Sequence, residues 1–376
     1  MPTTKDISTV VLVLQGGGAL GAYHVGAYQA MHEAGFAPDW VAGTSIGAIT
    51  SAVIVGNRPE ERVARLDELW DEISWPDGWG AWVPQPFLRA ANEVSVMQAL
   101  LFGQPNFFTP YLLNPYFSMP GTPSATAFYD TSPMLATLRR LCDFDLINSG
   151  KTRISLGATN VVTGELTYFD NRSPSRPERM GPEHVLASGS LPPGFGATDV
   201  EGEYYWDGGC VSNTPLDVVL TEPPEGHTLV FMIDLWGMEG KLPTTIDEVM
   251  WRQKQIQYAS RTTRHIQSVA DRLNLRRHLA TLHDRLPPGA RDDPAVKESR
   301  DDAYRGSMDI VHIQYVPTPD QVSSSDAEFS RRSIAARRAA GYEDLLKALE
   351  RAPWRATDRA TQPAAVVHRM TAGVLV

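Results

Sequence analysis

Two short apolar runs near the start of the chain are each cut off by a glycine turn that opens a helix pattern. No other feature limits the available folds as strongly. Val10-Val11-Leu12-Val13-Leu14 is rich in β-branched residues, as expected of a strand buried on both faces. Gln15-Gly16-Gly17-Gly18 follows, and Leu20, Tyr23, Ala27, Met31 and Ala34 then recur at helical spacing on one face, with Gly35 suited to the helix end. After Ala37-Pro38, the run Asp39-Trp40-Val41-Ala42 leads into Gly43-Thr44-Ser45-Ile46-Gly47 and a helix-like segment, Ala48–Val55. Strand, helix, strand with short loops is a parallel βαβ unit, right-handed in nearly all cases. Both glycine turns therefore fall at carboxyl ends of strands, on the edge where open α/β sheets place their sites.

Gly43 and Gly47 let the chain bend tightly enough to push the Ser45 hydroxyl clear of the turn, which makes Ser45 a candidate nucleophile. Gly16, Gly17 and Gly18 offer backbone N–H groups unobstructed by side chains, so an oxyanion could approach them. Gly16-x-Gly18-x-x-Gly21 also fits a dinucleotide fingerprint. That reading asks for an acidic residue at the end of the second strand, where this chain has Gly43-Thr44-Ser45 and carries Asp39 only at the beginning. A serine hydroxyl needs a base to take its proton as it attacks. The best candidate is Asp207, in Glu203-Tyr204-Tyr205-Trp206-Asp207-Gly208-Gly209, an aromatic strand that ends in an Asp-Gly-Gly turn. A partly buried carboxylate can act as such a base, because desolvation raises its pKa toward working pH. The rival is a triad built on one of nine histidines, with His24 and His184 nearest the motifs.

Gly16–Gly21, Gly43–Gly47 and Asp207–Gly209, in this order on strand ends, resemble the motifs of the patatin-like phospholipase family. Ser188-Gly189-Ser190-Leu191-Pro192-Pro193 and Asp207-Gly208-Gly209-Cys210-Val211-Ser212-Asn213-Thr214-Pro215 are similar to it as well, and the likeness covers roughly residues 8–236. The resemblance implies a three-layer α/β fold, with a mainly parallel central sheet flanked by helices. It also implies a serine acyl hydrolase that cleaves carboxylic esters of lipids through a Ser–Asp dyad, without a cofactor. In that frame Ser45 is the nucleophile, Asp207 its base, and Gly16, Gly17 and Gly18 the oxyanion loop; Gly21, Gly43, Gly47, Gly208 and Gly209 are motif glycines. Leu20 departs from the pattern, since many members carry Arg or Lys there. The departure bears on any cation beside the oxyanion or a lipid phosphate and leaves the backbone donors untouched. Hydrolysis of polyester or hydroxyacid oligomers is a variant of the same chemistry. A non-catalytic lipid-binding or scaffold protein that keeps the fold is the alternative from another class.

A chain of 376 residues suggests one large or two modest domains. Residues 1–240 are expected to form the catalytic domain, and residues 241–376 a helix-rich extension packed on it. Within the first, residues 75–130 hold 12 of the 33 aromatics, interleaved with eight prolines. That is too many for a solvent-exposed linker. It reads as a cap over the site, suited to acyl chains, or as a subsidiary core. Further strands are expected at Arg153–Val161, Glu165–Phe169, Thr228–Leu235 and Ile310–Val316, and helices at Met134–Cys142 and around Ser325–Glu350. Ile246, Val249, Gln253, Ile256, Ala259, Thr263, Ile266, Ala270 and Leu273 step by three or four and predict one face of a long helix. The tail after Trp354 reads as irregular, either loose or used in a subunit contact of a homo-oligomer.

Charge divides near Gly240. Residues 1–240 carry 12 Lys and Arg against 27 Asp and Glu, net −15, and residues 241–376 carry 22 against 17, net +5. A basic helical region could touch anionic lipid at a membrane surface, although pairing with the acidic body is the commoner arrangement. Without a dense basic run or an aromatic RNA motif, a nucleic-acid partner is not expected. Apolar runs are too short to span a membrane, no secretory signal is visible, and only Cys142 and Cys210 are present. These features suggest a cytoplasmic protein, peripheral at most on the inner membrane face. Cys210 reads as a small buried residue. No Cys/His cluster has metal-ligand spacing, so no metal is expected.

Overall fold

Alternate residues of the first strand face two different cores. In the computed structural model, Leu12 and Leu14 of β1 (Thr9–Leu14) pack to one side and Val11 and Val13 to the other. The strand is thus covered on both faces, as its unbroken apolar run requires. The structure describes residues 7–75, 83–174, 177–291, 293–294, 296–297, 303–318, 320–355, 363–371 and 373–375. Trp79 and Trp82 of the expected cap lie outside them.

The chain continues with α1 (Ala22–Glu33), β2 (Trp40–Thr44), α2 (Ile46–Val55), α3 (Arg62–Glu72) and α4 (Leu88–Phe102). A two-strand ladder of β3 (Thr109–Pro110) and β4 (Tyr129–Asp130) precedes α5 (Ser132–Leu141) and α6 (Phe144–Asn148). Next come β5 (Arg153–Asn160), β6 (Leu166–Asp170), α7 (Pro182–Gly189), β7 (Thr198–Val200) and β8 (Glu203–Asp207). After these follow α8 (Leu216–Thr221), β9 (His227–Asp234), α9 (Ile246–Arg285) and α10 (Pro288–Arg291). The described chain closes with β10 (Ser307–Gln314), α11 (Arg331–Arg351), β11 (Ala365–Thr371) and β12 (Val374–Leu375). The main sheet runs β12-β11-β10-β9-β1-β2-β5-β8-β7, with β6 also on β5. From β11 to β5 every pairing is parallel; β6 and β8 run antiparallel to β5. Helices α1, α2 and α11 cover one face and α8 and α9 the other, which is the three-layer α/β arrangement expected.

Four expectations need correction. The tail is not irregular throughout: β11 extends the parallel sheet beside β10, with Ala364, Ala365 and Met370 buried. The boundary at Gly240 does not divide the sheet either, since β10, β11 and β12 all come from beyond it. The first turns of α9 do not bury the predicted face. Ile246, Val249 and Ile256 are exposed, while Ala259, Ile266, Ala270 and Leu273 are buried. The rotation is set by Trp251 and Tyr258, whose rings pack 5.3 and 4.9 Å from Trp236. Nor is α1 one-faced: it is buried almost all round because α11 lies on its outer side. Gly26 and Gly341 allow that approach, since a Cβ on Gly26 would stand 1.8 Å from the Arg338 carbonyl oxygen.

Candidate functional site

The sheet register brings the candidate serine and carboxylate to one level. Thr44 pairs with Gly157 and Asp207 with Ala158, so Ser45, one residue past Thr44, and Asp207 flank the same point of β5. The two are 162 positions apart in sequence, and the antiparallel run of β8 returns the second to the first.

Ser45 sits between β2 and α2 with φ 58° and ψ −127°, a conformation unfavourable for a residue with a Cβ. Its N–H donates to the carbonyl and hydroxyl oxygens of Ser188, both at 3.1 Å, and the Ser188 hydroxyl donates onward to the Gly157 carbonyl at 2.6 Å. The strain of roughly 1–3 kcal/mol typical of such a residue is held in place by these bonds. Gly43 and Gly47 cross so closely that a Cβ on Gly43 would stand 2.3 Å from the Gly47 carbonyl oxygen. Gly21 packs on Ile46 behind the elbow.

Asp207 is buried at the end of β8. Burial pushes its pKa up to about 6, while hydrogen bonds from the Ser45 side chain and the Gly209 N–H pull the other way. The Gly209 bond is 2.7 Å, and Gly208 turns the chain against the Gly157 carbonyl. A carboxylate beside a partly exposed serine on one cavity wall, its pKa raised to about 6, has the basicity to accept the hydroxyl proton.

The glycine turn is anchored through Gly16. Its carbonyl accepts from Asn213 Nδ2 and from Trp236 Nε1, both at 2.8 Å. In a trans peptide the following N–H points the opposite way, so the Gly17 N–H is directed away from those anchors. The Gly16 N–H donates to the Asn213 carbonyl at 3.1 Å, which removes Gly16 from the three expected oxyanion donors. No hydrogen bond among the described residues uses the N–H of Gly17 or Gly18. Gly18 has φ +54°, and a Cβ there would meet the Asp326 carbonyl oxygen at 2.2 Å.

These groups line a cavity of about 310 Å³ whose other walls are largely apolar, with Leu100, Phe107, Phe108, Tyr129, Phe195 and Phe329 among them. The aromatics interlock, with Phe108 and Phe195 ring centroids 5.2 Å apart and Phe107 and Phe329 5.9 Å apart. Part of the region read as a cap therefore closes over the candidate site. A larger cavity, about 610 Å³, opens between α1, α3 and α11, but neither Ser45 nor Asp207 reaches it.

Among the described residues, no histidine lines the smaller cavity. His24 is fully buried, and desolvation lowers its pKa to about 3; His184 accepts from the Gly181 N–H and packs edge-on against Phe169. Cys210 is exposed rather than buried. Leu20 is buried in the core. Two cations from beyond residue 240 reach the neighbourhood of the turn instead. Arg337 donates to the Ala19 carbonyl at 3.1 Å, and Lys254 lines the cavity and pairs with Asp326 at 2.8 Å. Sequence reasoning assigned no role to Asn213, Trp236, Lys254 or Arg337. Only Asn213 carried a signal, because it stands in the stretch Ser212-Asn213-Thr214-Pro215 that takes part in the family likeness.

A parallel α/β sheet with a serine elbow and a buried carboxylate on one edge defines the class: a serine-elbow α/β protein. A family model described as patatin-like phospholipase matches residues 12–220, more than half of the chain, and a second, described as patatin phospholipase, matches residues 256–361. The chain belongs to the patatin-like phospholipase family. Curated relatives match over short stretches. Patatin-like phospholipase domain-containing protein 6 of Homo sapiens is 41% identical over 63 residues, 17% of this chain and 5% of that protein. Neuropathy target esterase sws of Drosophila melanogaster is 40% identical over 65 residues, again 17% and 5%. The chain thus matches only a small part of these relatives' length. Among solved structures, VipD from Legionella pneumophila aligns with TM-score 0.32 and 16% identity over 90% of this chain and 67% of that one. The ExoU–SpcU complex from Pseudomonas aeruginosa aligns with TM-score 0.27 and 18% identity over 78% and 58%.

Proposed function

We propose that the protein is a lipid acyl hydrolase working through a Ser45–Asp207 dyad. Ser45 Oγ attacks the ester carbonyl carbon while its proton passes to Asp207, and the N–H groups of Gly17 and Gly18 receive the oxyanion of the tetrahedral intermediate. Collapse breaks the carbonyl carbon–alkoxy bond, and the Asp207 carboxylic acid gives its proton to the leaving alcohol. A water molecule then attacks the acyl-enzyme, passing its proton to Asp207, which returns it to Ser45 Oγ as the fatty acid leaves. Each oxyanion donor can contribute ~3 kcal/mol of transition-state stabilisation. The observation that carries the reading is the Ser45 side chain set against a buried carboxyl whose pKa is raised to about 6, both lining one largely apolar cavity. The walls suit an acyl chain, since apolar surface gives up water favourably to another apolar surface.

A fluorophosphonate probe is expected to form one adduct on Ser45 of the folded protein and none on Ser45→Ala. Failure of the native protein to react would remove the hydrolase reading and leave the scaffold alternative. Hydrolysis of p-nitrophenyl esters of graded chain length would then report how much acyl chain the cavity takes.

A further inference from the structure

Val94 to Tyr129 is a run of 36 residues without one Asp, Glu, Lys, Arg or His, in a chain of which 21% is charged. Its apolar side chains divide into two sets. Phe107, Phe108 and Ala127 are buried. Val94, Met97, Leu101 and Phe102 on α4, and Leu112, Leu113, Tyr116, Phe117 and Met119 in the following loop, stand in solvent, with Tyr116 and Phe117 each 85% exposed. Isolated exposed apolar residues need no explanation; a set of this size on one stretch of chain does.

The backbone that presents them is held. The opposite face of α4 buries Asn92, Val96 and Ala99, and Asn92 Nδ2 donates to the Asp320 carbonyl at 2.9 Å. In the loop, the Tyr111 N–H donates to the Phe128 carbonyl at 3.0 Å, the Tyr116 N–H to Asn114 Oδ1 at 3.1 Å, and the Thr122 hydroxyl to the Met119 carbonyl at 2.7 Å. The set also adjoins the candidate site. The Tyr129 hydroxyl donates to the Leu100 carbonyl at 2.8 Å, and both residues line the Ser45 cavity.

We infer that the outer face of α4 and the loop 112–119 form the surface by which this protein docks on lipid, an inference that rests on the hydrolase reading and names where its substrate is met. A lipid surface is the occupant the geometry favours. A lipid surface held here brings acyl esters to the Ser45 cavity, since Leu100, Phe107, Phe108 and Tyr129 of this same segment line it. Protein interfaces also carry a polar rim and favour Arg, and this segment offers no charge at all. Leu, Met, Phe and Tyr on an ordered scaffold are the side chains that enter the boundary between headgroups and acyl chains. The binding is therefore apolar in origin. Part of the basic region beyond residue 240 is paired within the protein, as Arg305, Arg337 and Arg338 pair with Asp284, Glu328 and Asp67.

The test uses the full chain as Ser45→Ala, so that lipid is not consumed, and phosphatidylcholine vesicles in a sedimentation assay at about 0.1 M and about 1 M NaCl. The parent is expected to bind equally at both salt concentrations. Adding Leu112→Ser, Leu113→Ser and Phe117→Ser is expected to weaken binding about tenfold or more. With Ser45 restored, the triple variant should cleave a water-soluble short-chain p-nitrophenyl ester at the parent rate, which together with an unchanged circular dichroism spectrum shows the fold intact. The inference falls if the triple variant binds vesicles like its parent, or if high salt abolishes parental binding. It falls equally if the substitutions change only the oligomeric state in light scattering. Loss of vesicle binding on triple substitution, in a protein that cleaves no ester, would keep the docking face and remove the hydrolase reading.

Discussion

The elbow region and the cap meet at the same cavity and are built on opposite terms. Around Ser45 the polar groups are tied down. Ser188 holds the elbow, Asn213 and Trp236 hold Gly16, and the Gln15 side chain accepts from the Leu235 N–H at 2.6 Å while donating to Thr214 at 2.9 Å. Across the cavity, residues 94–129 carry no charge and leave most of their large apolar side chains in water. The difference teaches where each kind of residue works. Positioned dipoles matter where charge develops in a reaction, and unpaired apolar surface matters where the protein meets a phase it does not contain.

The comparison breaks most sharply at Ser45. Ser45→Ala should lower kcat on every ester by roughly 10⁴-fold, measured with the same soluble substrate that the cap variants leave untouched. The unfolding midpoint should move little, because the bonds that hold the elbow come from the Ser45 main chain. A cap substitution that lost soluble-ester turnover to the same degree would erase the distinction between the two regions.

Asp207 gives the next largest effect, and two readouts of opposite sign. Asp207→Asn should reduce kcat by about 10³-fold, since the amide accepts no proton. In the native protein kcat/KM should rise tenfold per pH unit up to about 6 and level off above it, because the base works only when ionised. Stability should run the other way. The folded pKa lies above the unfolded value, so the folded state binds the extra proton between about pH 4 and pH 6 and stability falls as pH rises through that window. Above pH 6 the buried carboxylate costs on the order of 2–3 kcal/mol. Asp207→Asn should accordingly unfold at a higher temperature than the native protein at pH 8, with the gap shrinking toward pH 4. Equal midpoints at both pH values would show that Asp207 is not desolvated.

How much of this could be read in advance depended on how local the signal was. The strand–glycine–helix turns at Gly16 and Ser45 were legible because Gly18 adopts φ +54° and Gly43 and Gly47 pack too closely to leave room for a Cβ. Asp207 was legible through the turn that follows it. β11 was not, because its burial is confined to its first and penultimate positions, Ala365 and Met370, and His368 and Arg369 interrupt the apolar pattern. The first turns of α9 misled for another reason. Ile246 and Ile256 satisfy a helical period, but the helix rotates to place Trp251 and Tyr258 on Trp236, a contact with no sequence signature. The cap shows the limit of composition. Twelve aromatics argue for packing, yet nothing in their number says that Phe107 and Phe108 turn inward while Tyr116 and Phe117 turn out.

The smallest expected effect tests the anchored side of the comparison at one bond. Trp236 donates from Nε1 to the Gly16 carbonyl and never meets a reacting atom in the proposed chemistry. Trp236→Phe keeps most of the apolar contact with Trp251 and Tyr258 but removes that donor, a neutral hydrogen bond of about 1 kcal/mol. The Asn213 bond remains, so the turn should loosen rather than collapse. If Gly17 and Gly18 serve the oxyanion, the loss falls on the transition state more than on the bound ester, and kcat should drop about five- to tenfold with KM little changed. A purely structural role would lower the unfolding midpoint and leave kcat alone. The kinetic split therefore decides whether the anchoring of the glycine turn serves catalysis or only the fold.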